Sequence, residues 1–157
     1  MKSYIRDMRE KIGHKPIVMS AVGLIICKDN KILLQKRAAD GNWGIHGGGM
    51  ELGETYLDAL NRELKEEMNI IPINPKLYGI FSGEKTYHVY PNKDEVYVMN
   101  HVFFCEEYEG NIQFNDNEVT ECKWSDIHSL PSNLIDLDVP VLKHLEEYLE
   151  NRQVIVD

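Results

Sequence analysis

An α/β fold, with a mixed β-sheet carrying helices on both faces, is predicted from three observations. Strand-like apolar segments lie both before and after one central amphipathic helix, a second amphipathic helix closes the chain, and glycine-rich or polar turns separate the elements. At 157 residues the chain is long enough for one domain with a real core, so 1–157 is expected to form a single unit. The formal charge of −9 argues against a protein that coats nucleic acid, which would carry a basic footprint. It also means that a phosphate ligand would be repelled unless a cation or local basic groups intervene.

Taken in order, residues 1–16 read as a helical extension. Ile5, Met8 and Ile12 share one side of a short amphipathic helix from Ser3 to Ile12, Gly13 ends it, and Pro16 keeps the next residues out of a helix. The apolar side of that helix leaves two readings open, pairing subunits as a homodimer or covering its own sheet. The extension is too polar for a signal peptide and no apolar run reaches membrane-spanning length, so a cytoplasmic protein with no membrane partner is expected. Ile17 to Cys27 is dense in apolar and β-branched residues and reads as a buried strand, and Ile32 to Lys36 returns after the turn Lys28-Asp29-Asn30-Lys31. Ala38 to Gly49, with Gly41, Gly44, Gly47, Gly48 and Gly49 around Trp43, is expected to be a loop that bends sharply or approaches something closely.

The central helix has legible ends. Thr55 can cap it with Asp58 as capping-box partner, and Asn69 suits the left-handed position at its C-terminus. Leu57, Leu60, Leu64 and Met68 form the stripe expected to anchor it to the sheet. Pro72 and Pro75 prevent the helix from resuming. Leu77 to Ser82, Thr86 to Tyr90, Val96 to Glu106 and Glu118 to Trp124 read as strands, with a turn at Pro91 to Asp94 and another turn or short helix at Asp126 to Leu130. Val139 to Asn151 reads as one C-terminal amphipathic helix. Cys27, Cys105 and Cys122 form no CxxC pair, so free thiols are expected.

The chemistry sits on the central helix. Glu63, Glu66 and Glu67 stand at i, i+3 and i+4, on one side of the helix, where three carboxylates repel one another in water. A hard divalent cation such as Mg²⁺ or Mn²⁺ favours oxygen ligands and neutralises such a cluster, which predicts a divalent-metal site acting on a phosphate substrate.

Gly48, five residues, Glu54, seven residues, then Arg62-Glu63-Leu64-x-Glu66-Glu67-x-Asn69-Ile70 closely resembles the box of the Nudix hydrolases, GX5EX7REUXEEXGU with U apolar. Eight of nine specified positions match, and Asn69 stands where the family has Gly. At ~7% per position the six fixed identities would coincide by chance at about 10⁻⁷ per starting point. The lead-in Gln35-Lys36-Arg37 and Trp43 to Gly48 is also similar, with His46 where Pro commonly stands, as is a late acidic residue, Glu118, followed by Trp124. His46 is read as a loop side chain in solvent.

The resemblance implies the family's α/β/α sandwich and hydrolysis of a nucleoside diphosphate linked to another group, with Mg²⁺ or Mn²⁺ as cofactor and a small-molecule nucleotide as partner. It implies Glu63, Glu66 and Glu67 as metal ligands, with the Gly47 carbonyl as a further candidate. Arg62 would orient the carboxylates, Glu54 would support them, and Glu118 would serve as distal ligand or general base. Arg37 or Lys36 could hold substrate phosphate, and Trp43, Tyr87 and Tyr90 could stack on a base; the plainer readings are solvated basic residues and core aromatics. His14, His88, His101, His128 and His144 show no metal-ligand spacing and are read as structural. Within the family, the small size leans towards a nucleoside triphosphate or small nucleotide sugar. The alternative is a non-catalytic nucleotide-binding or regulatory module on the same fold.

Overall fold

The apolar run Ile17–Lys28 becomes the strand on which the sheet is built. The computed structural model describes residues 3–157, so the first two residues of the expected N-terminal extension lie outside the described residues. The chain runs α1 (Tyr4–Ile12), β1 (Ile17–Lys28), β2 (Lys31–Arg37), β3 (Trp43–Gly44), β4 (His46–Gly49), α2 (Tyr56–Met68), β5 (Ile71–Ile73) and β6 (Lys76–Phe81). It continues through β7 (Tyr87–Val89), β8 (Glu95–Cys105), β9 (Glu107–Glu109), β10 (Val119–Asp126), α3 (Val139–Leu142), α4 (Leu145–Asn151) and β11 (Ile155–Val156). The main sheet has the order β10-β2-β1-β8-β6-β11 and is mixed, β1 lying parallel to β8 and antiparallel to β2.

Strand alternation sorts β1 between two cores. Val22, Leu24 and Ile26 face Leu60, Leu64 and Met68 of α2, whereas Ile25 and Cys27 face Val141 and Leu142 of α3 and Leu145 and Tyr148 of α4. Helices therefore cover both faces, as predicted. Ile5 of α1 packs on Met19, Ala21, Val96 and Val98 of its own sheet. Cys27 and Cys105 are buried and Cys122 half-buried, and all three are free. Among the described residues no helix is long and apolar enough to cross a membrane.

The central helix forms with the expected ends. Thr55 Oγ1 accepts from the Asp58 N–H at 3.1 Å while Asp58 accepts from the Thr55 N–H at 3.0 Å. Asn69 takes φ 57° and ψ 34°. The anchoring stripe differs from expectation: Ala59, Leu60, Leu64 and Met68 are buried, and Leu57 is 47% exposed. At about 100° per residue Leu57 points between Leu64 and Met68, so its exposure comes from its place in the first turn of the helix and not from its direction. Glu63 and Glu67 point between the buried Ala59 and Leu60, on one side of the same arc.

Three further expectations are corrected. The segment Ala38–Gly49 is not all loop, because Trp43–Gly44 pairs with β2 and His46–Gly49 pairs with β1. Of its glycines, Gly47 serves close strand approach, since a Cβ there would stand 2.0 Å from the Val22 carbonyl oxygen. The expected helix 139–151 is broken at Lys143–His144 into α3 and α4. There the Tyr78 hydroxyl donates to the Val141 carbonyl at 2.7 Å, occupying the acceptor that the Leu145 N–H would use in a continuous helix. The expected strand from Thr86 shortens to Tyr87–Val89 because Glu84–Thr86 closes as a 3₁₀ turn, the Thr86 N–H donating to Gly83.

Candidate active site

One edge of β1 is shared by two partners, β4 at Ala21 to Leu24 and β2 at Cys27 to Lys28. Where the two diverge, a cleft of about 420 Å³ opens. Gly47, Gly48 and Gly49 form part of its wall, together with Glu63, Glu66 and Glu67 from α2. The missing side chain at Gly48 leaves room for Glu63, since a Cβ there would fall 2.4 Å from the Glu63 carboxyl carbon. That contact lays the Glu63 carboxylate against the glycine strand.

Arg62 organises this corner without lining the cleft. Its Nε and Nη2 donate to the two carboxylate oxygens of Glu54 at 2.5 and 2.9 Å. Its Nη1 donates to Glu63 at 2.7 Å, and its Nη2 also reaches the Gly49 carbonyl at 3.0 Å. Glu66 lies 3.7 Å from the same guanidinium and is half-exposed. Glu54 in turn accepts from the Glu51 N–H at 2.8 Å, fixing the loop before the helix. Hydrogen bonding to Arg62 holds the Glu54 carboxyl below its usual range, and these carboxylates raise the Arg62 guanidinium in turn.

Glu67 is held differently. The Gly47 backbone amide favours its charged form, yet Oε2 is buried and has no hydrogen-bond partner among the described residues. Burial pushes its carboxyl up to about 8, and the nearby charges of Glu63 and Glu118 add to the rise. Glu63 is also raised, by burial opposed by Arg62. Glu118, in the loop before β10, also lines the cleft, near enough for its charge to act on Glu63 and Glu67. Among the described residues no three carboxylate, histidine or cysteine side chains already stand as a finished metal shell. The donor set nonetheless fits a hard divalent cation: Glu63, Glu66, Glu67 and Glu118 line one cleft, and Glu67 has a buried oxygen without a partner among the described residues.

Arg37 lines the same cleft, and its charge acts on Glu67 and Asp138. Trp43 does not line it: the indole is 5% exposed within the core, with the Lys123 ammonium 4.1 Å from its centroid. Of the two tyrosines, Tyr90 lines the cleft, while Tyr87 pairs with Tyr97 at 5.0 Å between ring centroids.

His46 is no solvent-facing loop residue. It is 0% exposed and spans the divergence of the two strands, Nε2 donating to the Leu33 carbonyl at 3.0 Å and Nδ1 lying 3.1 Å from the Gln35 amide. Burial lowers its pKa to about 4, so the ring is neutral near pH 7 and Gln35 must present its NH₂ to Nδ1. The imidazole thus supplies the bonds that a strand partner would have made.

Two cleft residues carry weaker sequence signals. Asp138 is buried, accepts from the Ile45 N–H at 2.9 Å, and is pushed up to about 7 by that burial. It presses against Gly44, whose Cβ would lie 2.5 Å from its Oδ2. Its position just before Val139-Pro140 reads only as a helix start. Asn100 lines the cleft from β8, and its signal is a polar residue inside the apolar run Val96–Cys105. Burial lifts the Cys122 thiol to about 11, which leaves it a poor nucleophile.

The model of the NUDIX domain family matches residues 18–146. An ADP-ribose pyrophosphatase of Methanocaldococcus jannaschii is 36% identical over 120 residues, covering 74% of this chain and 66% of that protein, just under two thirds of its length. The nucleoside triphosphatase NudI of an Enterobacter species is 29% identical over 135 residues, covering 83% of this chain and 91% of its own. A MutT NUDIX hydrolase structure from Burkholderia pseudomallei superposes with a TM-score of 0.69 at 23% identity, over 81% of this chain and 97% of that one, and so shares the fold.

Proposed function

Because the chain belongs to the NUDIX hydrolase family, we propose that it is a divalent-metal-dependent pyrophosphohydrolase opening the phosphoanhydride of a nucleoside diphosphate joined to a further group. A nucleoside triphosphate or small nucleotide sugar is the favoured substrate, in keeping with relatives named as a nucleoside triphosphatase and an ADP-ribose pyrophosphatase.

The observation that carries this reading is Glu67 Oε2, buried and unpartnered beside Glu63 and Glu118. Leaving such an oxygen bare costs roughly 1–3 kcal/mol or more, and a cation in the cleft removes that cost. Glu63, Glu66 and Glu67 would hold the cation, with the Gly47 carbonyl and Glu118 as further ligands. Mg²⁺ or Mn²⁺ bound there supplies neutralisation of the phosphate oxygens and a lowered pKa for the attacking water.

The chain's own groups do the remaining work. Arg62 keeps Glu63 in one rotamer by tying it to Glu54. Arg37, the one Lys or Arg lining the cleft among the described residues, pairs with substrate phosphate and offsets the acidic wall. Glu118, whose carboxylate has no hydrogen bond within the described residues, is free to take the water's proton if it is not itself a ligand.

The test is a panel of nucleoside triphosphates, nucleoside diphosphate sugars and dinucleoside polyphosphates, incubated with Mg²⁺ or Mn²⁺ and with EDTA, with products identified by mass. The expected products are a nucleoside monophosphate and a phosphorylated remainder, abolished by EDTA. Binding without turnover of any compound would assign the non-catalytic module instead.

A further inference from the structure

The proposed reaction leaves one polar side chain of the cleft unused. Asn100 is only 9% exposed, lines the cleft, and its amide has no hydrogen bond within the described residues. The opening above it comes from Gly23, where a Cβ would stand 3.6 Å from Asn100 Oδ1 and 3.1 Å from Ile45 Cδ1. Neither amide atom is sealed from the cleft, as the buried Glu67 Oε2 is, so both can bond to a group that enters with a matching donor and acceptor.

Its place in the sheet says what could do so. Gly49 pairs with Ala21, and Ala21 pairs with Asn100, a row across three strands in which all three residues line the cleft. Two strand spacings of about 4.8 Å put Asn100 roughly 10 Å from the glycine strand against which Glu63 and Glu67 lie. Around the amide the walls turn apolar, with Met19, Val98, Tyr90 and Leu137. Apolar walls with one paired donor and acceptor suit a flat heteroaromatic ring, and the separation leaves room for a sugar between ring and phosphate.

We propose that Asn100 reads the edge of the substrate's nucleobase, Oδ1 accepting from a base N–H and Nδ2 donating to the neighbouring ring nitrogen or carbonyl. This rests on the nucleotide reading of the cleft. Arg37 and the carboxylate corner then deal with phosphate, and Asn100 distinguishes a nucleotide from any other phosphorylated sugar.

Product binding tests it independently of turnover. The dissociation constants of AMP, GMP, CMP, UMP and base-free ribose 5-phosphate are measured by titration calorimetry with Mg²⁺ for the wild type, Asn100→Leu and Asn100→Asp. The wild type should bind at least one nucleotide more tightly than ribose 5-phosphate. Asn100→Leu should lose about tenfold or more of that advantage with ribose 5-phosphate unchanged. Asn100→Asp, which keeps the shape but offers only acceptors, should shift preference towards GMP, the base with two adjacent N–H donors; it carries the test if the leucine variant does not fold. Equal weakening of nucleotides and ribose 5-phosphate, no change in either variant, or a wild type blind to the base would overturn the proposal. Absence of hydrolysis across the nucleotide panel would sink the enzymatic reading alone, because monophosphate binding is scored separately.

Discussion

Arg62 grips both carboxylate oxygens of Glu54 while its remaining nitrogen donates to Glu63, so one guanidinium couples the loop before α2 to a carboxylate of the cleft. A lysine has a point charge instead of a planar fork and cannot make both bonds to Glu54 while still holding Glu63. Arg62→Lys should therefore keep the fold, with a Tm lower by a few degrees, roughly the effect of losing 1 kcal/mol. It should lower kcat about tenfold or more by freeing Glu63. Steady-state kinetics beside a thermal melt check both, and an unchanged kcat would show that Glu63 needs no brace.

Gly48→Ala tests the close fit of helix and glycine strand. The added methyl would fall 2.4 Å from the Glu63 carboxyl carbon, so the carboxylate must move. The expected outcome is at least about tenfold weaker Mn²⁺ binding by calorimetry, with far-ultraviolet circular dichroism unchanged. Wild-type affinity in this variant would remove Glu63 from the ligand set.

His46 should make the protein acid-sensitive in a defined window. Its folded pKa of about 4 lies below the unfolded value of 6.5, so between these pH values the unfolded chain binds the extra proton. The stability held above pH 6.5 is lost as pH falls towards 4, by about 3 kcal/mol in all. Urea denaturation of wild type and His46→Gln at pH 7 and pH 4.5 should show the wild type losing more, the difference between the two curves carrying the His46 contribution. Parallel losses would contradict a buried neutral imidazole.

Local chemistry makes the helix of the site legible. Thr55, Asp58 and Asn69 announce their roles through short-range hydrogen bonding and backbone conformation, and the spacing of Glu63, Glu66 and Glu67 is set by the helix itself. Residues whose role comes from distant partners are harder to read. His46 looks like a loop residue in sequence because nothing local says that β2 and β4 diverge around it, and Trp43 looks available because nothing local says that it faces Ile135, Leu134 and Lys123. The break in the C-terminal helix depends on the Tyr78 hydroxyl, 63 residues from the carbonyl it takes. Spacing alone puts Leu57 in the stripe and passes over the small Ala59, which is buried on the side of the helix where Glu63 and Glu67 stand.

Glu67 Oε2, buried and without a partner among the described residues, is proposed to meet a cation during phosphoanhydride hydrolysis. Glu67→Gln keeps the shape while removing the charge. The decisive measurement is its Mg²⁺-dependent kcat on the best nucleotide substrate, with a thermal melt as control. The account predicts a loss of ~10²-fold or more with the fold retained. A kcat within a few-fold of wild type would contradict it.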